Sequence, residues 1–155
     1  MCFTSTSGAI WRTVARAVCA MAILFSGAVS IARATDVAAP KLNGTYWKLV
    51  EMDGAAAHFG QGSREAHIQF GERNRISGSG GCNRLLGGYR MDGVHLTFGN
   101  LGGTMMECDK GMNEERHMVQ SLAKVRGWRI EGPQLVMLAE SGAVILRFQS
   151  GEPSL

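Results

Sequence analysis

Beyond position 43 the chain runs in short stretches of alternating apolar and polar residues. In GTYWKLVEM, Gly44 to Met52, Tyr46, Lys48 and Val50 alternate with Trp47, Leu49 and Glu51. A period of two in aromatic and β-favouring residues predicts a strand, ended here by Asp53-Gly54. Ala55 to Ser63 reads as a loop. Glu65 to Gly71 puts Ala66, Ile68 and Phe70 on one face, and the turn Glu72-Arg73-Asn74 leads into a glycine-punctuated strand, Arg75 to Gly80. GGYRM and VHLTFG then flank Asp92-Gly93, a two-residue hairpin signal. Asn100 to Gly111 reads as a loop.

The period becomes helical over Met112 to Val125, where Met118, Leu122 and Val125 fall at i, i+4 and i+7. Asp109 or Asn113 is the candidate N-cap. Glu114 and Glu115 suit the positive helix end, and Lys124 and Arg126 the negative one. Three further strands, WRIEG, QLVMLAE and AVILRFQ, are separated by turns at Gly132-Pro133 and Ser141-Gly142. The element order is β5-α-β3. Short connections imply antiparallel pairing. The expected fold is α+β and mostly β: an antiparallel sheet curved into a small open or closed barrel with one helix.

The first 34 residues break this pattern. Arg12 and Arg16 precede an uncharged run from Ala17 to Ala32, which closes on Ala32-Arg33-Ala34. This is the layout of a secretory signal peptide cleaved near Ala34, and the run is short for a membrane span. The expected organisation is a signal peptide at 1–34, a tether at 35–41 and one domain at 42–150, exported to the periplasm or secreted. Removing residues 1–34 of 155 leaves 121, one domain's worth. Cleavage also removes three of the sixteen basic residues, leaving thirteen against thirteen acidic ones. A neutral mature chain carries no footprint for nucleic acid. Cys82 and Cys108 remain, and two cysteines in an exported protein point to one disulfide. Closing that loop is worth roughly 3–4 kcal/mol if unstrained.

GSGGCNRLLGGY, Gly78 to Tyr89, is the densest candidate site. Gly78-Ser79-Gly80 begins like a dinucleotide fingerprint, but Asn83 stands where the third glycine is needed, no helix follows, and no Walker lysine is present. Glycines in strands otherwise mark bulges, curvature or close backbone approach. The methionines around Cys108 and His117 are soft ligands of the kind Cu(I) takes, but no spaced ligand motif accompanies them. No nucleophile elbow is present. Asn83 suits a turn that bonds its own backbone. Arg84 carries five donors in a fixed fork, and is expected to organise the loop through Glu107 or Glu115.

The motif GCNRLLGGY resembles the G-C-N-R-x-x-G-x-Y signature of META domains, the HslJ-like family. TMMEC at Thr104 to Cys108 is similar to that family's T-x-M-x-C motif, Met112 and Glu115 to its M-x-x-E helix pattern, and WKLVEMDG to its opening strand. Leu85 stands where an aromatic residue often follows the triplet. The resemblance spans residues 42 to 149 and implies a small, mostly β domain with one helix. It further implies an exported envelope protein linked to stress, without catalytic chemistry or cofactor. Its motif residues map to Cys82, Asn83, Arg84, Gly87, Thr104, Met106 and Cys108, with Glu115 on the helix, in a structural or interaction role. A non-enzymatic module in envelope stress or protein interaction is therefore expected, its partner and oligomeric state open and its membrane attachment lost with the signal. Two alternatives stand beside it: a small-ligand or copper module using the Met-rich loop or the barrel interior, and a thiol redox protein using Cys82 and Cys108.

Overall fold

Strand alternation carries through into burial, with one informative break. The computed structural model describes residues 40–58 and 64–153. The expected signal segment lies outside these residues, as do most of the tether and Phe59 to Ser63 of the first loop. In β1 (Tyr46–Met52) Trp47 and Leu49 are buried and Lys48 is exposed. Continued alternation would turn Glu51 inward, but the register slips between Leu49 and Glu51. That bulge, one extra residue in the strand, lets Glu51 meet Arg147 at 3.4 Å while Met52 points into the core.

β2 (Ala55–Ala56) is a two-residue strand paired to the end of β1, where a loop was expected. β3 (His67–Phe70) buries Ile68 and Phe70, continuing the face begun by Ala66. A 3-10 turn at Glu72–Asn74 leads to β4 (Arg75–Ser79). β5 (Arg84–Asp92) buries Leu85, Gly87 and Tyr89 and turns Arg84 and Leu86 outward. β6 (His95–Gly103) pairs with it. Because Asp92 pairs with His95, the hairpin loop is Gly93-Val94 rather than Asp92-Gly93. The first residues of the expected loop at Asn100 belong to β6.

Helix α1 (Met112–Lys124) is the α-helix among the described residues, and Met118, Leu122 and Val125 are all fully buried. Neither expected cap is used: Gly111, at φ 90°, takes the N-cap position with no side-chain hydrogen bond. At the other end Arg126 Nη1 donates to the carbonyls of Ala123 and Val125 at 3.0 and 2.7 Å, satisfying acceptors that a helix end leaves open. β7 (Gly127–Glu131), β8 (Gln134–Leu138) and β9 (Val144–Gly151) complete the chain. Among the described residues six strands precede the helix and three follow it, where five and three were expected.

The expectation of a barrel is corrected. Among the described residues the strands form one nine-stranded antiparallel sheet in the order β2-β1-β3-β4-β5-β6-β7-β8-β9, with a further pairing of β1 to β9. A barrel requires a staggered ladder between every pair of neighbours. Here β6 and β7 share one residue pair, His95 and Gly127, because the chain leaves the sheet between them to form α1.

Trp47, Phe70, Phe148 and Leu146 fill the interior together with the helix residues. Each such side chain contributes about 1.5–3 kcal/mol on burial. The Trp47 indole donates to the Leu42 carbonyl at 3.0 Å, so its polar edge is not left unpaired. Among the described residues no helix is long and apolar enough to cross a membrane.

Candidate functional site

The glycine-rich stretch is the corner between β4 and β5, and the first turn of α1 is fastened onto it. The corner is tight: Gly80 N–H donates to the Asn83 carbonyl at 3.0 Å, and Gly81, at φ 111°, donates to Ser79 Oγ at 3.1 Å. Glu115 reaches across from the helix so closely that a Cβ on Gly80 would lie 2.3 Å from its Cγ. Glycine is needed at 80 because a carboxylate from another element passes over it.

Asn83 is the centre of the junction. It is 6% exposed, and both ends of its amide are bonded. Oδ1 accepts from Thr104 Oγ1 at 2.8 Å and from Met106 N–H at 2.7 Å. Nδ2 donates to Glu115 Oε1 at 2.9 Å and to the Met106 carbonyl at 3.3 Å. Glu115 Oε2 also accepts the backbone N–H groups of Cys82 and Asn83, at 3.1 and 2.6 Å. Thr104 Oγ1 accepts Arg84 N–H at 3.1 Å. Cys82 is bonded to Cys108, 26 positions on. Three segments distant in sequence are thus locked together, and a carboxylate bonded to three donors is a strong fastener.

The structure therefore brings Cys82, Asn83, Thr104, Met106, Cys108 and Glu115 into one place. Met106 contributes its backbone while its side chain stays exposed. Gly87 lies further along β5, where a Cβ would approach Leu101 to 2.8 Å. Arg84 is the correction. Its guanidinium pairs with neither Glu107 nor Glu115, and the fastening expected of it is done by its neighbour Asn83. Arg84 is exposed and lines a small pocket of about 170 Å³ beside Asn83 and Glu115 and two larger surface grooves. What crowds Gly80 and Gly103 is not legible in the sequence; a Cβ on Gly103 would lie 1.9 Å from the Arg84 carbonyl oxygen. No local signal distinguishes such glycines, because the atoms they make room for are remote in sequence.

One of the two grooves, about 680 Å³, lies over Tyr46 and His67, whose rings stack at 4.4 Å. Burial, then the hydrogen bond to Glu65, pushes the Tyr46 phenol above its ordinary range. Glu65 also pairs with Lys48. The other groove, about 660 Å³, is bordered by Arg73, Arg75 and Arg84.

The soft ligands near α1 are not gathered. Met118 is core, Met105 is fully exposed, Cys108 is in the disulfide, and His117 Nε2 lies 2.7 Å from Asp53 Oδ2. Among the described residues no group of three or more His, Cys, Asp or Glu side chains is placed to hold a metal ion. The interior, another candidate ligand site, is occupied by the core side chains.

A META domain family model matches residues 40–152. Two solved structures share the fold. One is an NMR structure of a protein from Burkholderia xenovorans, 27% identical, with a TM-score of 0.57; the match covers 76% of this chain and 94% of that one. The second, also an NMR structure, is 24% identical with a TM-score of 0.53, covers 68% of this chain and 87% of that one, and speaks to the fold alone. Among curated proteins none matches this chain.

Proposed function

The chain belongs to the META domain family, and on that premise we propose that it is an exported, HslJ-like module of the bacterial envelope that acts by interaction under stress. META domains are non-enzymatic modules, and this chain is not an enzyme. The observation that carries the reading is how the motif residues are used. Asn83 spends both ends of its amide, and Glu115 both carboxylate oxygens, on holding the junction. Groups so engaged build a rigid corner rather than act as base or nucleophile. The Cys82–Cys108 bond supports an oxidising compartment, and Cys82 is buried, which favours a structural bond over a cycling one.

The test is to express the full sequence in a bacterium and fractionate the cells. The reading expects a periplasmic or secreted product with its N-terminus near Thr35, two hydrogens lighter than its reduced form. A cytoplasmic product with an intact leader and two alkylatable thiols would sink it.

A further inference from the structure

We propose that the groove on the outer face of β4, β5 and β6 binds the phosphate groups of a polyanionic ligand. It borders the locked junction at Gly103 and Thr104 and opens away from it along β5 and β6. Three cations border it, Arg73, Arg75 and Arg84, and no acidic residue lines it. None of the three guanidinium groups takes part in the ion pairs among the described residues, which involve Lys48, His117, Arg129 and Arg147. In a mature chain with balanced charge, three unpaired arginines gathered on one face form a local positive field.

The floor is the second observation. Gly88 pairs with Arg75 across β4–β5, and Gly102 pairs with Leu86 across β5–β6. Neither glycine has a positive φ. A Cβ at Gly102 would meet nothing within 4 Å, and one at Gly88 nothing nearer than 3.6 Å. Packing therefore does not require glycine at either position, although glycine inside a strand costs about 0.5–1 kcal/mol. Strand glycines without a packing reason mark a bulge, a bend or a place where a ligand or another backbone comes close; the bulge of β6 lies beside these two, and their open side faces the arginines.

The backbone around the groove is the third observation. Four non-glycine residues among those described have positive φ, and three of them, Arg73, Asn74 and Asn100, line this groove. The turn after β3 accounts for Asn74, since asparagine tolerates that conformation. Arg73 is less suited to it. Asn100 sits where β6 carries an extra residue between its pairings with Leu86 and Gly88, a bulge of the kind that re-aims side chains beside functional sites.

Arg84 and Gly88 are four residues apart on β5, roughly 13 Å along the strand. An extended ligand lying across Gly88, Gly102 and the exposed Leu86 between Gly88 and Arg84 would meet Arg84 at one end and Arg73 and Arg75 at the other. A phosphate carries up to about two negative charges and three acceptor oxygens, and the planar fork of arginine matches it. Linked phosphates satisfy three arginines where a single carboxylate would leave excess charge.

The experiment titrates the protein, purified from cells expressing the full sequence, with sodium tripolyphosphate by calorimetry, and separately with phosphatidylglycerol vesicles by co-sedimentation. Phosphatidylcholine vesicles and citrate are the controls. Arg75→Ala and Arg84→Ala are each expected to weaken binding about tenfold or more, and Gly102→Val to do so by filling the floor, the arginine variants keeping the wild-type melting curve and Gly102→Val melting no lower than wild type. Binding of tripolyphosphate with these losses assigns a soluble polyphosphate; binding of anionic vesicles alone, with the same losses, assigns a lipid headgroup. Binding of neither, binding that survives all three substitutions, or citrate binding as tightly as tripolyphosphate would overturn the proposal.

Discussion

Gly102 and Gly103 are neighbours at the end of β6, yet they are glycine for opposite reasons. At Gly103 a Cβ would lie 1.9 Å from the Arg84 carbonyl oxygen; at Gly102 it would meet nothing within 4 Å. The same division appears on the facing strand, where Gly87 is crowded by Leu101 and Gly88 is open. One set is held by close packing, Gly103 against the β5 backbone beside the junction and Gly87 against Leu101 further along the strand. The other belongs to the outer face, where open glycines lie between unpaired arginines. Tight packing identifies architecture, and glycine where packing allows a side chain points outward to something the domain meets.

The comparison breaks most visibly at the disulfide. Replacing both Cys82 and Cys108 with serine should lower unfolding stability by about 3.5 kcal/mol in urea denaturation, from the entropy of the loop they close. A change below about 1 kcal/mol would mean that the junction holds without it. Next comes Asn83→Ala, which removes one of the donors to Glu115 and leaves Met106 N–H without its acceptor. A loss of about 2–3 kcal/mol is expected by the same measurement. Gly103→Ala should cost about 2 kcal/mol, because the backbone of β5 must move.

Gly102→Ala sharpens the contrast, since it should raise stability by about 0.5 kcal/mol. Equal losses at 102 and 103 would erase the distinction between the two faces. The smallest effect concerns Tyr46, on the same sheet but outside both regions. Its phenol is raised by burial and by the bond to Glu65, so the folded state resists ionisation more than the unfolded chain does. That contribution is complete below the ordinary phenol value, near pH 10, and is lost as pH rises above it. Tyr46→Phe should therefore flatten the alkaline fall in the urea midpoint; an unchanged slope would place the phenol in water.

Much of the fold was legible in the chain. Ala66, Ile68 and Phe70 announced a buried face, Met118, Leu122 and Val125 a helix stripe, and all six are buried as read. The strand β2 and the bulge at β1 were not legible, because each depends on which partner strand is met. The helix cap was misread because Asp109 and Asn113 are suitable by type, whereas the chain turns into the helix through Gly111. The motif residues of the site were legible as a set, but their wiring was not. Arg84 was the natural partner for a carboxylate by charge, and Asn83 took that place because it faces inward from the corner while Arg84 faces out.

By itself the sequence determined what neighbours on the chain decide: strand and helix periods, turn residues, two cysteines and the motif that marks the family. Those features depend on side-chain direction repeating every 2 or 3.6 residues, which is a local property. Tertiary structure alone decided that β6 and β7 share a single residue pair, that Glu115 lands on the backbone of Cys82 and Asn83, and which glycines are crowded and which are bare. These depend on what lies opposite each residue. A glycine carries no side chain whose character could announce that neighbour in advance.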